Sequence, residues 1–381
     1  MEVNKIPFNK PYLTGNETTY IKNAVLAGHV SGNGNFTKKC QQWLEERYGF
    51  KKCLLTTSCT DALEMTALLI NIHPGDEVIV PAYTFVSTAL AFTRQGAIIK
   101  FVDSRPDHPG MNEDVIEEMI TEKTKAIVVV HYAGVACDMD KITFLAEKYK
   151  LYVVEDAAQA IDSYYKSKPL GSIGNLGCFS FHETKNIHCG EGGLLTINDE
   201  KLIERAEIIW EKGTNRAKFF RGEIDKYSWV DTGSSFLPSD LLAAFLYAQL
   251  ESLDDIQCKR KILWDLYFNL LSPLSEKKII DLPNNPDYAS NNAHMFYIVC
   301  KSLEERTKLI SFLKQKGILS VFHYLNLQSS SFMKNKVLQK TLSHTDSYSD
   351  KLLRLPLYYE LTFDQVKAIS NYIKEFYSLP I

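Results

Sequence analysis

Between residues 52 and 198 the chain alternates short apolar runs with segments of helical length, and that alternation leaves few folds open. The runs lie at 52–56, 77–81, 97–103, 126–132, 151–156, 177–181 and 193–198, with helix-length stretches between the first five. Strands covered on both faces read as continuous apolar stretches, and a strand–helix alternation predicts a mainly parallel sheet with helices on each side. The last two runs have no helix between them, so one strand of that pair is expected to run antiparallel. The expected class is α/β: a mainly parallel seven-stranded sheet flanked by helices, followed by a smaller α+β domain.

The rest of the chain fits around that block. Residues 1–36 read as an arm with a glycine-rich turn, Ser31-Gly32-Asn33-Gly34, and 36–48 as a helix that Gly49 ends. A helix at 201–212 leads into a polar and aromatic loop at 213–222, and the segment 231–240 precedes an apolar helix at 241–250. The domain boundary is placed near Asp255, giving an arm and large domain over 1–254 and a small domain over 255–381. The latter reads as helix, strand (294–300), helix (304–316), strand (319–323), a loop and a terminal helix (364–377). A chain of 381 residues is long enough for two such units.

Charge and cysteine usage narrow the partners. A net charge of -3 gives no basic footprint for nucleic acid. No apolar run approaches the ~18 residues a membrane span needs, and the polar N-terminus lacks a signal-peptide core, so a cytoplasmic protein with no membrane partner is expected. The eight cysteines form no CxxC pair. They read as reduced packing residues, with no metal site.

The chemistry gathers where the apolar runs end. Gly177-Cys178-Phe179-Ser180-Phe181 carries the chain inward, Lys185 follows among small and polar residues, and Gly190-Glu191-Gly192-Gly193 returns it to a second apolar run. A lysine there can be desolvated, which lowers its pKa and suits a Schiff-base amine. A lysine beside a turn is ordinarily a solvated surface residue, and the second signal comes from Asp156, in Glu155-Asp156-Ala157-Ala158-Gln159 at the end of another apolar run. In open α/β sheets ligands bind at the carboxyl ends of strands. A carboxylate there can pair with the protonated nitrogen of a pyridoxal ring whose aldehyde the lysine holds, although alone it reads more readily as a helix N-cap. Ser58-Cys59-Thr60 opens a helix after the first strand and offers free amides and hydroxyls to a phosphate, or simply caps the helix. Tyr83 and Phe85 end the second strand at the same edge, where an aromatic can stack on a planar cofactor or belong to the core.

Taken in order, Ser58-Cys59-Thr60, the stretch 81–88, Glu155 to Gln159, Ser180 to Asn186 and Gly190 to Gly193 resemble the DegT/DnrJ/EryC1/StrS sugar aminotransferases. The resemblance covers essentially the whole chain and implies the pyridoxal-phosphate transferase architecture of fold type I. The stretches 179–186, 212–216, 219–222, 231–235, 292–297 and 321–324 are similar to the branch that aminates the 4-keto carbon of dTDP-4-keto-6-deoxyglucose for surface polysaccharides such as O-antigen or enterobacterial common antigen. That branch gives 4-amino-4,6-dideoxygalactose, and a sister branch gives the gluco epimer.

The resemblance implies that Lys185 carries the aldehyde of pyridoxal 5'-phosphate, Asp156 pairs with the ring nitrogen, Gln159 lies near the phenolic oxygen and Phe85 stacks on the ring. Ser58, Cys59, Thr60 and Ser180 would hold the phosphate. Ser235, from a neighbouring subunit, would complete it where most relatives have Asn. Tyr83, His323, Asn215 and Arg216 would meet the sugar nucleotide. Leu237 stands in the place of the family's arginine for the donor carboxylate, and Gln328 where a second histidine is usual. The expected reaction takes an amino group from L-glutamate, releases 2-oxoglutarate and delivers the nitrogen to the nucleotide-linked ketosugar, in a homodimer with shared active sites. Two alternatives are a sugar dehydratase, against which Lys185 speaks, and a pyridoxal-phosphate-binding regulator without turnover, against which the joint presence of Lys185, Asp156 and Gln159 speaks.

Overall fold

The computed structural model describes residues 5–378. After an arm with α1 (Glu17–Leu26) and α2 (Asn35–Tyr48), the chain runs β1 (Lys52–Thr56), α3 (Cys59–Leu69), β2 (Glu77–Pro81), α4 (Val86–Thr93), β3 (Ile98–Val102), β4 (Thr124–Val130), α5 (Met139–Tyr149) and β5 (Tyr152–Asp156). A two-stranded ribbon follows, β6 (Tyr164–Tyr165) and β7 (Lys168–Pro169), then β8 (Leu176–Ser180) and β9 (Gly193–Ile197). Next come α6 (Ile203–Trp210), α7 (Arg216–Phe220), α8 (Asp240–Glu251) and α9 (Leu253–Glu276). The chain ends with β10 (Phe296–Val299), α10 (Leu303–Gln315), β11 (Val321–Phe322), α11 (Ser343–Lys351), β12 (Leu352–Leu355) and α12 (Phe363–Ser378).

The main sheet has seven strands in the order β1-β9-β8-β5-β4-β2-β3. β9 pairs antiparallel with both β1 and β8, and the other neighbours are parallel. The antiparallel strand is the second of the two runs that no helix separates. Alternation along the strands builds two cores. Leu55, Ile79, Ile127, Val129 and Val153 face a core shared with α2, α5 and α8, while Leu54, Val78, Val80, Val128 and Val154 face one shared with α3, α4 and α6. Both faces are therefore dry, which is why the strands read as unbroken apolar runs.

A third core forms around β10-β12-β11, with α9, α10 and α12 packed on it. Ile6 of the arm pairs with Ile318 and joins this core. Two elements depart from the expectation for residues 324–363. α11 and β12 lie where a loop was expected, and β12 is the middle strand of the small sheet. α7 likewise gives helical form to part of the loop at 213–222. Among the described residues no helix is long and apolar enough to cross a membrane, and the eight cysteines are free thiols.

Candidate active site

A cavity of about 860 Å³ opens at the carboxyl ends of β1, β2, β5 and β8 and is closed from the other side by β11 and β12. Lys185, Asp156, Gln159, Ser58, Cys59, Thr60, Ser180, Phe85 and His323 all line it. These residues come from separate strand ends, and parallel pairing of β4, β5 and β8 brings their carboxyl termini to one edge.

Lys185 sits on the loop between β8 and β9. Hydrogen bonds from Phe181 N to Gly192 O (2.8 Å), Cys189 N to Phe181 O (2.9 Å) and Glu183 N to Gly190 O (2.9 Å) close that loop on itself. The neighbouring Asn186 donates to Gln257 Oε1 (2.7 Å) and the carbonyl of Asn292 (2.9 Å) and accepts from His294 Nδ1 (2.8 Å). The backbone is thus pinned, while the amine itself has no hydrogen-bond partner among the described residues. Burial pushes the Lys185 pKa below the usual lysine value, the positive charge of Arg354 adds to that shift, and Cys59 and Asp156 oppose it.

Asp156 ends β5 and is 5 % exposed. Burial raises its pKa, against a hydrogen bond from Thr88 Oγ1 (2.7 Å), another from Ala158 N (3.2 Å) and the charge of Lys185. Its strand neighbour Glu155 points to the opposite face and accepts from Gly171 N (2.7 Å), Ile173 N (2.7 Å) and Gly174 N (2.6 Å). Glu155 also bonds His131 Nε2 (2.9 Å), so the two carboxylates that adjoin in sequence do different work. One holds the fold and the other faces the cavity.

At the β1 end, Ser58 caps α3 by accepting from Asp61 N (3.1 Å). The amides of Cys59 and Thr60, in the first turn, have no intrahelical acceptor and face the positive end of the helix dipole. A Cβ on Gly193 would strike the backbone of Ser58 and Cys59, so only glycine lets β9 pass this close. Thr60 Oγ1 and Ser87 Oγ lie 2.7 Å apart beside the turn. Together these donors form a cradle suited to a phosphate. Phe85, 56 % exposed at the start of α4, offers an aromatic face on the same cavity.

The other wall is aromatic and cationic. Gln159 is held by Ala133 N donating to Oε1 (2.6 Å) and donates from Nε2 to Tyr324 OH (2.9 Å). His323 stacks on Tyr324, and its Nδ1 lies 2.6 Å from Tyr132 OH. Burial and the charge of Arg354 lower the His323 pKa well below the ordinary histidine value, so the ring is neutral near pH 7.

Four of the expected residues do not line the cavity. Tyr83, 1 % exposed, lies in an aromatic cluster with Tyr132, Tyr297 and Tyr348. Asn215 accepts from Ser228 N (2.8 Å), Arg216 is 2.8 Å from Glu211, and Ser235 is exposed on a bridge to Glu211. Three residues that the structure brings to the site carried no sequence signal of their own: Thr88 on Asp156, Tyr324 on Gln159, and Arg354 on β12. Thr88 and Tyr324 stood inside motif stretches; Arg354 was a lone charge in a four-residue apolar run.

Comparison with known proteins gives the arrangement its context. The profile of the DegT/DnrJ/EryC1/StrS aminotransferase family matches residues 11–374. GDP-perosamine synthase of Escherichia coli O157:H7 is 31% identical over 379 residues, covering 98% of this chain and 99% of that one. Among solved structures, the PLP-form of Spr1654 from Streptococcus pneumoniae superposes with a TM-score of 0.90 at 28% identity, covering 98% of this chain and 99% of the other. DesV of S. venezuelae gives a TM-score of 0.90 at 27% identity over 99% of this chain and 100% of its own.

Proposed function

Because the chain belongs to the DegT/DnrJ/EryC1/StrS aminotransferase family and is a pyridoxal-phosphate-dependent sugar aminotransferase of fold type I, we propose that it moves an amino group from L-glutamate to C4 of dTDP-4-keto-6-deoxyglucose, giving dTDP-4-amino-4,6-dideoxygalactose for a surface polysaccharide. The observation that supports the aminotransferase chemistry in this reading is the pairing, on one cavity, of a half-buried lysine whose amine has no hydrogen-bond partner among the described residues with a buried carboxylate held by Thr88.

The residues fit the cofactor on their own chemistry. The free first-turn amides of α3 and the bare backbone at Gly193 suit its phosphate, Phe85 its ring face, Gln159 its phenolic oxygen and Asp156 its ring nitrogen. Pyridoxal 5'-phosphate, once bound, supplies an electron sink that lets the bond between hydrogen and the donor's α-carbon break. Lys185 is the group placed to take and return that proton, because its amine is desolvated and free of hydrogen bonds. Asp156, already dehydrated, favours a cation opposite it. The loop around Lys185 and the wall of Tyr324 and His323 would limit the access of water to the reacting carbon. Ser235, exposed on its own chain, would reach the phosphate of a neighbouring subunit in a homodimer, with Asn215 and Arg216 on the same flank.

Purified holoprotein given L-glutamate and dTDP-4-keto-6-deoxyglucose should release 2-oxoglutarate, with the galacto configuration at C4 read by proton NMR. The gluco product would correct the sugar's pose. A GDP-linked 4-ketosugar is the second reading, favoured by the E. coli relative named for GDP-perosamine. Faster turnover of that substrate than of the dTDP sugar would replace the first reading with the second.

A further inference from the structure

A half-buried arginine needs an account of its charge, and Arg354 has none among the described residues. It lies at the centre of the small sheet, opposite Tyr297 on β10 and Val321 on β11. Leu353 and Leu355 on either side of it enter the C-terminal core, while Leu352 joins the aromatic cluster of Tyr83, Tyr132 and Tyr297. Alternation therefore turns Arg354 to the second face, where it lines the cavity. Phe8 of the arm covers the guanidinium at 4.8 Å.

The guanidinium has five N–H donors. Nη2 gives one to the carbonyl of Phe322 at 3.3 Å, and Nε is enclosed without any partner. No carboxylate lies within ion-pair distance of it among the described residues; the groups around it are Tyr132, Tyr324 and Tyr83. Enclosing Nε of a half-buried cation among neutral phenols costs free energy that the fold does not recover internally. An anion that enters with substrate recovers it, and the flat fork matches a carboxylate in particular.

The identity of that anion follows from which reacting group the charge faces. Arg354 lines the same cavity as Lys185 and His323, and its charge helps to lower the pKa of both. An amino donor carries its α-carboxylate one carbon from the nitrogen that reacts there. A nucleotide sugar carries its diphosphate on C1, across the ring from the C4 ketone. The phosphate cradle at α3 belongs to the opposite wall. Leu237, in the place where the family's arginine was expected, lies instead against Gly32 and is not part of the cavity wall.

We propose that Arg354 binds the α-carboxylate of the amino donor, supplying from β12 the cation that position 237 lacks. The assignment rests on the aminotransferase reading above and adds the donor subsite to it. In holoenzyme, Arg354→Gln should lower kcat/KM for the glutamate half-reaction about 100-fold, mostly through KM, with Arg354→Lys recovering part of the loss. In the ketosugar half-reaction of the pyridoxamine form, KM for the sugar should stay within about threefold of wild type, so that the loss of binding is confined to the donor. Glutarate, a dicarboxylate that cannot react, should bind wild-type protein calorimetrically and bind Arg354→Gln at least tenfold more weakly at equal melting temperature. Loss confined to the ketosugar half-reaction would overturn the assignment and give Arg354 to the sugar nucleotide. Unchanged glutarate affinity would overturn it as well. Should wild-type protein ignore glutamate, the donor named above is wrong, and the glutarate titration still decides the role of Arg354.

Discussion

Thr84 Oγ1 lies 2.8 Å from Thr88 Oγ1, and Thr88 donates onward to Oδ2 of Asp156 at 2.7 Å. Thr88 therefore spends its only proton on the carboxylate. Burial already raises the Asp156 pKa, and this bond is the largest influence opposing it. Thr88→Val keeps the volume and removes the donor. The expected result is a loss of about tenfold in the single-turnover rate with glutamate, together with about 1–2 kcal/mol of stability in urea titration. Thr88→Ser should restore most of both.

Lys185 should be a liability to the fold in the cofactor-free protein. Its folded pKa is below the ordinary lysine value of 10.5. Between those two pKa values the unfolded chain carries a proton that the folded chain has released, so stability rises with pH across that window. Below it, Lys185→Met removes a desolvated amine whose charge Cys59 and Asp156 compensate only in part. The variant should melt higher than wild type at pH 7, by on the order of 2 °C. The gap should close as the pH passes 10.5. Turnover should fall at least ~1,000-fold, because among the described residues no other amine lines the cavity. A variant that melts lower at pH 7 would show that the amine has a partner in the fold.

Gly193 sets the floor of the phosphate cradle. Its added methyl would meet the carbonyl carbon and oxygen of Ser58 and the nitrogen of Cys59, all backbone atoms. The backbone of α3 must therefore move, and its first turn with it. Gly193→Ala should cost about 1–3 kcal/mol and weaken cofactor retention at least tenfold, measured by dialysis and absorbance. Gly190→Ala, where the added methyl meets nothing but φ is +82°, should cost stability without releasing cofactor.

How much of this was readable in advance depended on how local each signal was. The seven strands of the main sheet were legible because both their faces are dry, so each is a continuous apolar run. Lys185 and Asp156 were legible because each sits where such a run stops. α11 was not, since Ser343-His344-Thr345-Asp346-Ser347-Tyr348-Ser349-Asp350-Lys351 is built from residues that compete with the helical backbone. It holds because Asp103 accepts from the amides of His344 (3.2 Å) and Thr345 (2.7 Å), 241 and 242 residues away. β12 was hidden because Arg354 interrupts four residues that would otherwise read as a strand. The interruption is the donor side of the cavity, a property of what faces it across the sheet and not of the run itself. Tyr83 failed in the opposite direction: a strand-end aromatic near the site proved to be core.

The segment from α7 to Ser235 exposes several large apolar side chains. Trp229 is 82 % exposed and Phe220 65 %, with Tyr227 and Val230 half-exposed beside them. Exposed apolar residues gathered in one segment often mark a surface that meets another protein, and Ser235, exposed, lies at the end of that segment. If that surface meets a second copy and brings Ser235 to the partner's phosphate cradle, two different defects become separable by mixing. Ser235→Asp places a negative charge against the phosphate and should inactivate, as Lys185→Met does. Random reassortment of the two variants makes half of the dimers mixed, and each mixed dimer has one site with both groups intact, so about one quarter of wild-type activity should return. Mixtures that stay inactive while native mass spectrometry shows mixed dimers would mean that each subunit completes its own site.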